Sequence, residues 1–358
     1  TEKWELRLKG KASFITEEYL QEKFPTSAKA VLFINGRFVA SDEDAAKINL
    51  LKEGEGLWCD NVLLAYKKNS NENIANYSQL HQSASVNKVE SAAANMLDEV
   101  WQIFKNNHQQ IENDFQLLTS NRKSAPIPAS AFVNDATKIF IEEGAQIDFA
   151  FFNTNDGPIY IGENAHVMEG AMIRGPFALC HDSEVKMGAK IYTGTSIGPH
   201  CKVGGEVNNS VIFGFSNKAH DGFLGNSVIG EWCNLGADTN NSNLKNDYSE
   251  VKLWNYADQK FKGTGLQFCG LIMGDHSKCG INTMFNTGTV VGVFCNVFGD
   301  GFPRNYIPNF SWGGAAGQTG YQISKALKVA EAVMQRRGLP LTETDIKLLT
   351  YISENFKN

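Results

Sequence analysis

The sequence predicts three parts in order: an α/β segment, a parallel β-solenoid built on a six-residue repeat, and a C-terminal helical cap. Three observations carry this. Ile161, Val167, Ile173, Leu179, Val185, Ile191, Ile197 and Val203 fall six residues apart without a break. A mostly small residue stands four positions after the guide, as at Ala165, Ala171, Ser183, Ala189, Thr195 and Cys201. Glycine often follows the guide directly, as at Gly162, Gly198, Gly230 and Gly236. Helices repeat every three or four residues and a lone strand every two, so a period of six means a short strand and a turn wound into a solenoid. The guide points at a narrow axis, the small residue shares that interior, and glycine permits the tight corner. Three such hexads close one triangular coil of 18 residues.

Residues 1–125 carry no hexads. Ala30 to Val39, with Asn35-Gly36 at its centre, reads as a β-hairpin. Ser41-Asp42-Glu43-Asp44 starts a helix, and Leu57 to Tyr66 reads as a strand. Val89, Met96, Val100, Phe104, Ile111 and Phe115 predict one long helix. Ser124-Ala125-Pro126-Ile127-Pro128 punctuates the end, which puts a domain boundary at 125/126. The solenoid is then 126–312. Its guides continue in shifted register at Val211, Asn217, Phe223, Ile229 and Leu235, and again at Met273, Cys279, Phe285, Val291 and Val297. Between Val203 and Val211 the register gains two residues. A long insertion follows Asn240, and long loops thrown from a rigid solenoid usually carry function. Residues 313–358 read as helices, with Ile323, Ala326, Leu327, Ala330, Val333 and Met334 on one face.

Composition narrows the function. Of 358 residues, 42% are hydrophobic and 20% charged, so real cores are expected. A net charge of −6 argues against a broad nucleic-acid face. No apolar run or signal peptide is seen, so a membrane partner is not expected. The chain opens without Met, and the N-terminal domain is expected to be incomplete. Seven Cys with no C-x-x-C pair fit a reducing cytoplasm. Cys201, Cys233 and Cys295 fall in the small inward slot and Cys279 in a guide slot, so buried fillers are expected.

His220 is the residue best suited to take a proton near neutral pH, and it stands between Lys218 and Asp221 at an expected corner. His200 lies 20 residues earlier, which one coil plus the two-residue gain would place on the same corner. His181 stands one slot off, and without a close His pair no metal site is expected. Asn234 and Asn243 flank the insertion and could orient a sugar or an acyl carbonyl, while Lys245 and Lys252 could meet phosphates.

These stretches carry a resemblance. Lys218-Ala219-His220…Leu224-Gly225, Asn234-Leu235-Gly236-Ala237-Asp238-Thr239 and Ser242-Asn243-Leu244-Lys245 resemble the acetyltransferase half of the bifunctional UDP-N-acetylglucosamine pyrophosphorylase/glucosamine-1-phosphate N-acetyltransferase family. Gly204-Gly205-Glu206-Val207 and Asn243-Leu244-Lys245-Asn246 are similar to its Bacteroidetes-type branch of sugar nucleotidyltransferases. The resemblance implies a left-handed parallel β-helix after an α/β nucleotidyltransferase-like segment, and a cytoplasmic homotrimer. It implies acetyl transfer from acetyl-CoA to an amino-sugar phosphate or nucleotide-linked amino sugar. His220 would be the general base, Asn234 would place the acetyl group, Asn243 would hold the amino sugar, and Lys218 would lie near the sugar phosphate, with Lys202 or Lys190 standing in for missing family cations. Phe223 replaces a substrate-binding Tyr. Coenzyme A would meet Gly236, Ala237, Thr283 and Lys245. The alternatives are sugar-1-phosphate nucleotidyl transfer, which would require Mg²⁺, and a non-catalytic sugar-nucleotide binder. No Gly-rich, Arg-bearing phosphate loop stands in residues 1–125.

Overall fold

The computed structural model describes residues 1–27, 29–74 and 76–356, and the chain forms two compact units. The first comprises Thr1–Asp98 with Thr342–Tyr351. Its four-stranded sheet runs in the order Leu32–Ile34, Val62–Lys67, Glu55–Cys59, Asn87–Glu90, and only the last pair is parallel. The sequence reading differs here at three places. Leu32–Ile34 pairs with Val62–Lys67, not with residues 37–39, because Asn35-Gly36 opens a loop that carries Phe38 to an isolated bridge with Met96. The expected strand from Leu57 to Tyr66 is two antiparallel strands, turned at Asp60 with φ 52°. The expected long helix begins only at Gln102, because Val89 sits in the edge strand. The helix predicted after Ser41 is present as Asp42–Asn49, with the Ser41 hydroxyl accepting from the Asp44 amide.

The second unit comprises Glu99–Leu341 and the residues from Ile352. It is a parallel β-solenoid wound on the six-residue repeat, with sheets of ten, six and nine strands on its three faces. Ile161, Val167, Ile173, Leu179, Val185, Ile191, Ile197 and Val203 all lie in the core inside its coils. Cys201, Cys233, Cys279 and Cys295 are buried there as expected. Burial pushes the Cys201 thiol up to about 12 and Cys295 to about 11, so neither is a nucleophile at neutral pH.

After Val203 the register departs from the sequence reading. Ile191 pairs with Val207, Ile197 with Ile212 and Val203 with Lys218, so the coil shortens to 15 or 16 residues. The inward residues are therefore Ile212, Lys218 and Leu224; Val211, Asn217 and Phe223 face outward. The shortening comes from tight corners at Gly205 and Asn209, both with positive φ. Two residues are lost between Val203 and Val207 and one between Val207 and Ile212, which no periodicity count detects.

Residues 99–123 pack on the solenoid. Trp101 and Phe104 join Val228, Val251, Leu253 and Val290 in a second core on an outer face. Asn107 donates to the Gly194 carbonyl at 2.7 Å, and Arg122 grips Glu142 through two bonds of 2.8 and 2.6 Å. The compact units thus divide at 98/99, whereas the sequence reading placed its boundary at the proline-rich punctuation near 125. Helices Ile323–Gln335 and Glu343–Asn355 form the C-terminal segment. Among the described residues no helix is long and apolar enough to cross a membrane.

Candidate functional site

Lys218 organises the most unusual corner of the solenoid. Its side chain occupies an inward position between Val203 and Leu235 and is 3% exposed. Its Nζ donates to the backbone carbonyl of His220 at 2.5 Å. Burial pulls its pKa down to about 8, against the opposing charges of Asp221 and Asp238. A lysine in an aliphatic slot breaks the repeat's own rule, and such breaks concentrate at functional sites. It also corrects an expectation: Lys218 cannot reach a sugar phosphate, because its ammonium is used inside the solenoid. What it does is fix the backbone from which the exposed His220 ring projects.

Phe223 and Asn243 meet over Gly225. A Cβ on Gly225 would stand 2.5 Å from the Phe223 ring and 2.7 Å from the Asn243 amide, so any larger residue would push these two side chains aside. Asn243 donates to the Asn226 side chain at 2.7 Å, and the Phe223 amide donates to Asn240 at 2.8 Å. The start of the insertion is thereby tied to the coil that carries His220. Asn241, in the next inward slot, accepts from the Gly225 amide and donates to its carbonyl.

Asn234 is exposed on a different strand, in a row with Asn217 below and Lys278 above. Arg337 reaches Asn217 at 3.3 Å from beyond the helix Ile323–Gln335. No repeat links position 337 to the solenoid, so the sequence held no signal for this cation. Lys202 lies in the same row but is paired with Glu184 at 2.7 Å, which occupies the charge expected for a phosphate. Lys190 stands one coil below Glu206 on the six-stranded face.

The expected coenzyme A contacts divide. The Thr283 side chain is buried and donates to the Gly280 carbonyl at 2.8 Å, so it faces the solenoid interior. Gly236 packs against the Gly280 backbone, where any Cβ would collide. Both are structural. The Ala237 carbonyl is taken by the Asn282 amide at 2.8 Å. Lys245 and Lys252 instead line a cleft of about 700 Å³ with Trp254, Phe261, Arg304 and Tyr306. Trp254 and Tyr306 stack with centroids 4.2 Å apart. Gln318, also on the wall, holds a buried Nε2 with no hydrogen-bond partner. Stacked aromatics, three cations and an unsatisfied donor suit a ligand that combines an aromatic base with phosphates. The sequence reading found the two lysines; Arg304 and the aromatic pair come together only through the fold of the insertion hairpin, Lys252–Asn255 with Lys260–Gly263.

His200 and His220 lie on different corners, contrary to expectation, since the shortened coil sets Phe215 beside His200. His200 instead approaches His181 and Asp182, and these three side chains form a group able to hold a metal ion where the sequence reading expected none.

Residues 1–123 match the sugar nucleotidyl transferase family. The chain is 37% identical over 90 residues to the bifunctional protein GlmU of Methanocaldococcus jannaschii, covering 25% of this chain and 21% of that protein. It is 28% identical over 163 residues to a bifunctional sugar-1-phosphate nucleotidylyltransferase/acetyltransferase of Sulfurisphaera tokodaii, covering 40% of each. The chain thus spans less than half the length of these relatives, the second of which is named as a transferase. Among solved structures, LpxA of Bacteroides fragilis, a UDP-N-acetylglucosamine acyltransferase, is similar at 15% identity and a TM-score of 0.26, over 65% of this chain and 98% of that one.

Proposed function

We propose that the solenoid is an acetyl-CoA-dependent N-acetyltransferase acting on an amino-sugar phosphate or a nucleotide-linked amino sugar. The observation that carries this is the exposed His220 imidazole on a corner anchored from inside by Lys218. An amine must lose a proton as it attacks a thioester, and a neutral imidazole accepts it. The nitrogen bonds to the acetyl carbon, the carbon–sulfur bond breaks, and the coenzyme A thiolate leaves. Asn243, held by Asn226 beside Phe223, is the group offered to the sugar. The cleft of Lys245, Lys252, Trp254 and Arg304 is the group offered to the adenine and phosphates of the coenzyme. The bifunctional relatives support the pairing of sugar and acetyl chemistry.

In this reading the active form is a homotrimer. Phe132, Phe149, Phe151 and Met172 are exposed, and Phe132, Phe151 and Met172 lie on the six-stranded face; buried against a second copy they would supply apolar contact. A second reading, sugar-1-phosphate nucleotidyl transfer with Mg²⁺, is favoured by the family match of residues 1–123.

The test is release of free coenzyme A thiol from acetyl-CoA with glucosamine-1-phosphate and with UDP-glucosamine, beside pyrophosphate release from UTP and a sugar-1-phosphate. Thiol release that requires the amino sugar supports the first reading. Thiol release with neither acceptor, and pyrophosphate release alone, replaces it with the second.

A further inference from the structure

Asn164, Asp182 and His200 occupy one corner position in three successive coils, each with left-handed backbone at φ 54°, 55° and 57°. The column continues upward as Phe215 and Trp232, ring on ring. Its lower end carries Asn164 and Asp182 where the rest carries stacked rings, His276 among them. His181 Nδ1 lies 2.8 Å from Asp182 Oδ2, and His200 Nδ1 lies 3.9 Å from the same oxygen. One ligand atom from each of the three side chains falls within 4.8 Å of the others.

We propose that His181, Asp182 and His200 bind one divalent transition-metal ion of the zinc class. Around tetrahedral zinc with nitrogen and oxygen ligands at about 2.0 Å, neighbouring ligand atoms stand about 3.3 Å apart. The separations of 2.8 and 3.9 Å fall on either side of that value, so small side-chain rotations close the set. Two imidazoles and one carboxylate are a donor set that zinc and its neighbours accept and that magnesium and calcium do not favour. All three side chains are partly exposed, which leaves a further coordination position open to solvent.

Two features hold the ligands in place. Phe215 stacks on the His200 ring at 4.7 Å and 19°, while the His181 ring meets it edge-on at 5.1 Å. The Asn164 side chain hydrogen-bonds the Asp182 carboxylate, the kind of outer support that orients metal ligands. This ion site is independent of the acyl-transfer reading, since His220 lies on another corner.

The experiment is titration of the untagged full-length chain, stripped with EDTA, with Zn²⁺ by calorimetry and with Co²⁺ by visible absorbance. One ion per chain is expected, with Co²⁺ bands of tetrahedral intensity. His200→Phe extends the aromatic column and Asp182→Asn preserves shape, so both should fold with unchanged circular dichroism while binding at least tenfold more weakly. His166→Ala removes an unrelated His–Asp pair and should leave binding intact. No saturable binding by the wild-type chain, or binding unaffected in both His200→Phe and Asp182→Asn, would overturn the proposal.

Discussion

Lys218→Met should stabilise the chain at neutral pH while weakening acetyl transfer. Methionine matches lysine's stem and suits a slot flanked by Val203 and Leu235. Lowering the lysine from 10.5 to about 8 corresponds to roughly 3 kcal/mol spent on keeping a charge in the lumen. Against this, the substitution leaves the His220 carbonyl without its Nζ donor, costing about 1–3 kcal/mol. The balance at pH 7 is a gain of about 0–2 kcal/mol for the variant. The sign with pH follows from proton counts. Below about 8 lysine is charged in both states, so wild type bears the whole penalty. Between about 8 and 10.5 the unfolded chain holds the proton and the folded chain has lost it, so wild-type stability rises with pH. The difference between variant and wild type should therefore shrink by roughly 3 kcal/mol across that window, and titrations common to both chains cancel. Urea unfolding of both proteins at pH 7 and pH 10 reads this directly. A variant destabilised by more than about 3 kcal/mol at pH 7, or a difference flat with pH, would refute the reasoning. The acetyl-transfer rate should fall roughly tenfold, about 1.4 kcal/mol, as the His220 backbone loses its anchor.

Three further outcomes follow from the geometry. Lys252→Glu with Arg304→Glu places two anions in the aromatic cleft and should raise KM for acetyl-CoA roughly 10- to 100-fold with little change in melting temperature, measured by thiol release. Gly225→Ala drives a methyl group toward the Phe223 ring and the Asn243 amide and should cost about 1–3 kcal/mol in chemical denaturation, with a raised KM for the sugar. Of the seven thiols, only Cys59 and Cys180 are partly exposed, so a thiol reagent should modify at most two in the native chain and all seven in denaturant.

The solenoid was legible because its repeat is strict where coils are regular. From Ile161 to Val203 every guide lies in the core. Legibility failed at the shortened coils, where Gly205 and Asn209 turn corners in fewer residues and move Lys218 from an outward to an inward place. That one-residue slip reverses a side chain's face, so a phosphate contact became an internal anchor. His220 was singled out by its chemistry and its neighbours, and its side chain is exposed. The aromatic cleft was missed because Trp254, Arg304 and Tyr306 come from an insertion and from late coils that no period relates. The N-terminal unit was read least well: its strands are short and lack alternation, and Val89 and Phe104, placed on one predicted helix, lie in different compact units.

The central claim is that His220 removes the proton during acyl transfer. The direct measurement is kcat/KM for acetyl transfer by His220→Ala with the acceptor that wild type uses, beside its melting temperature. The account predicts a loss of about 10²- to 10⁴-fold with an unchanged fold. A variant that transfers acetyl groups at the wild-type rate would contradict it.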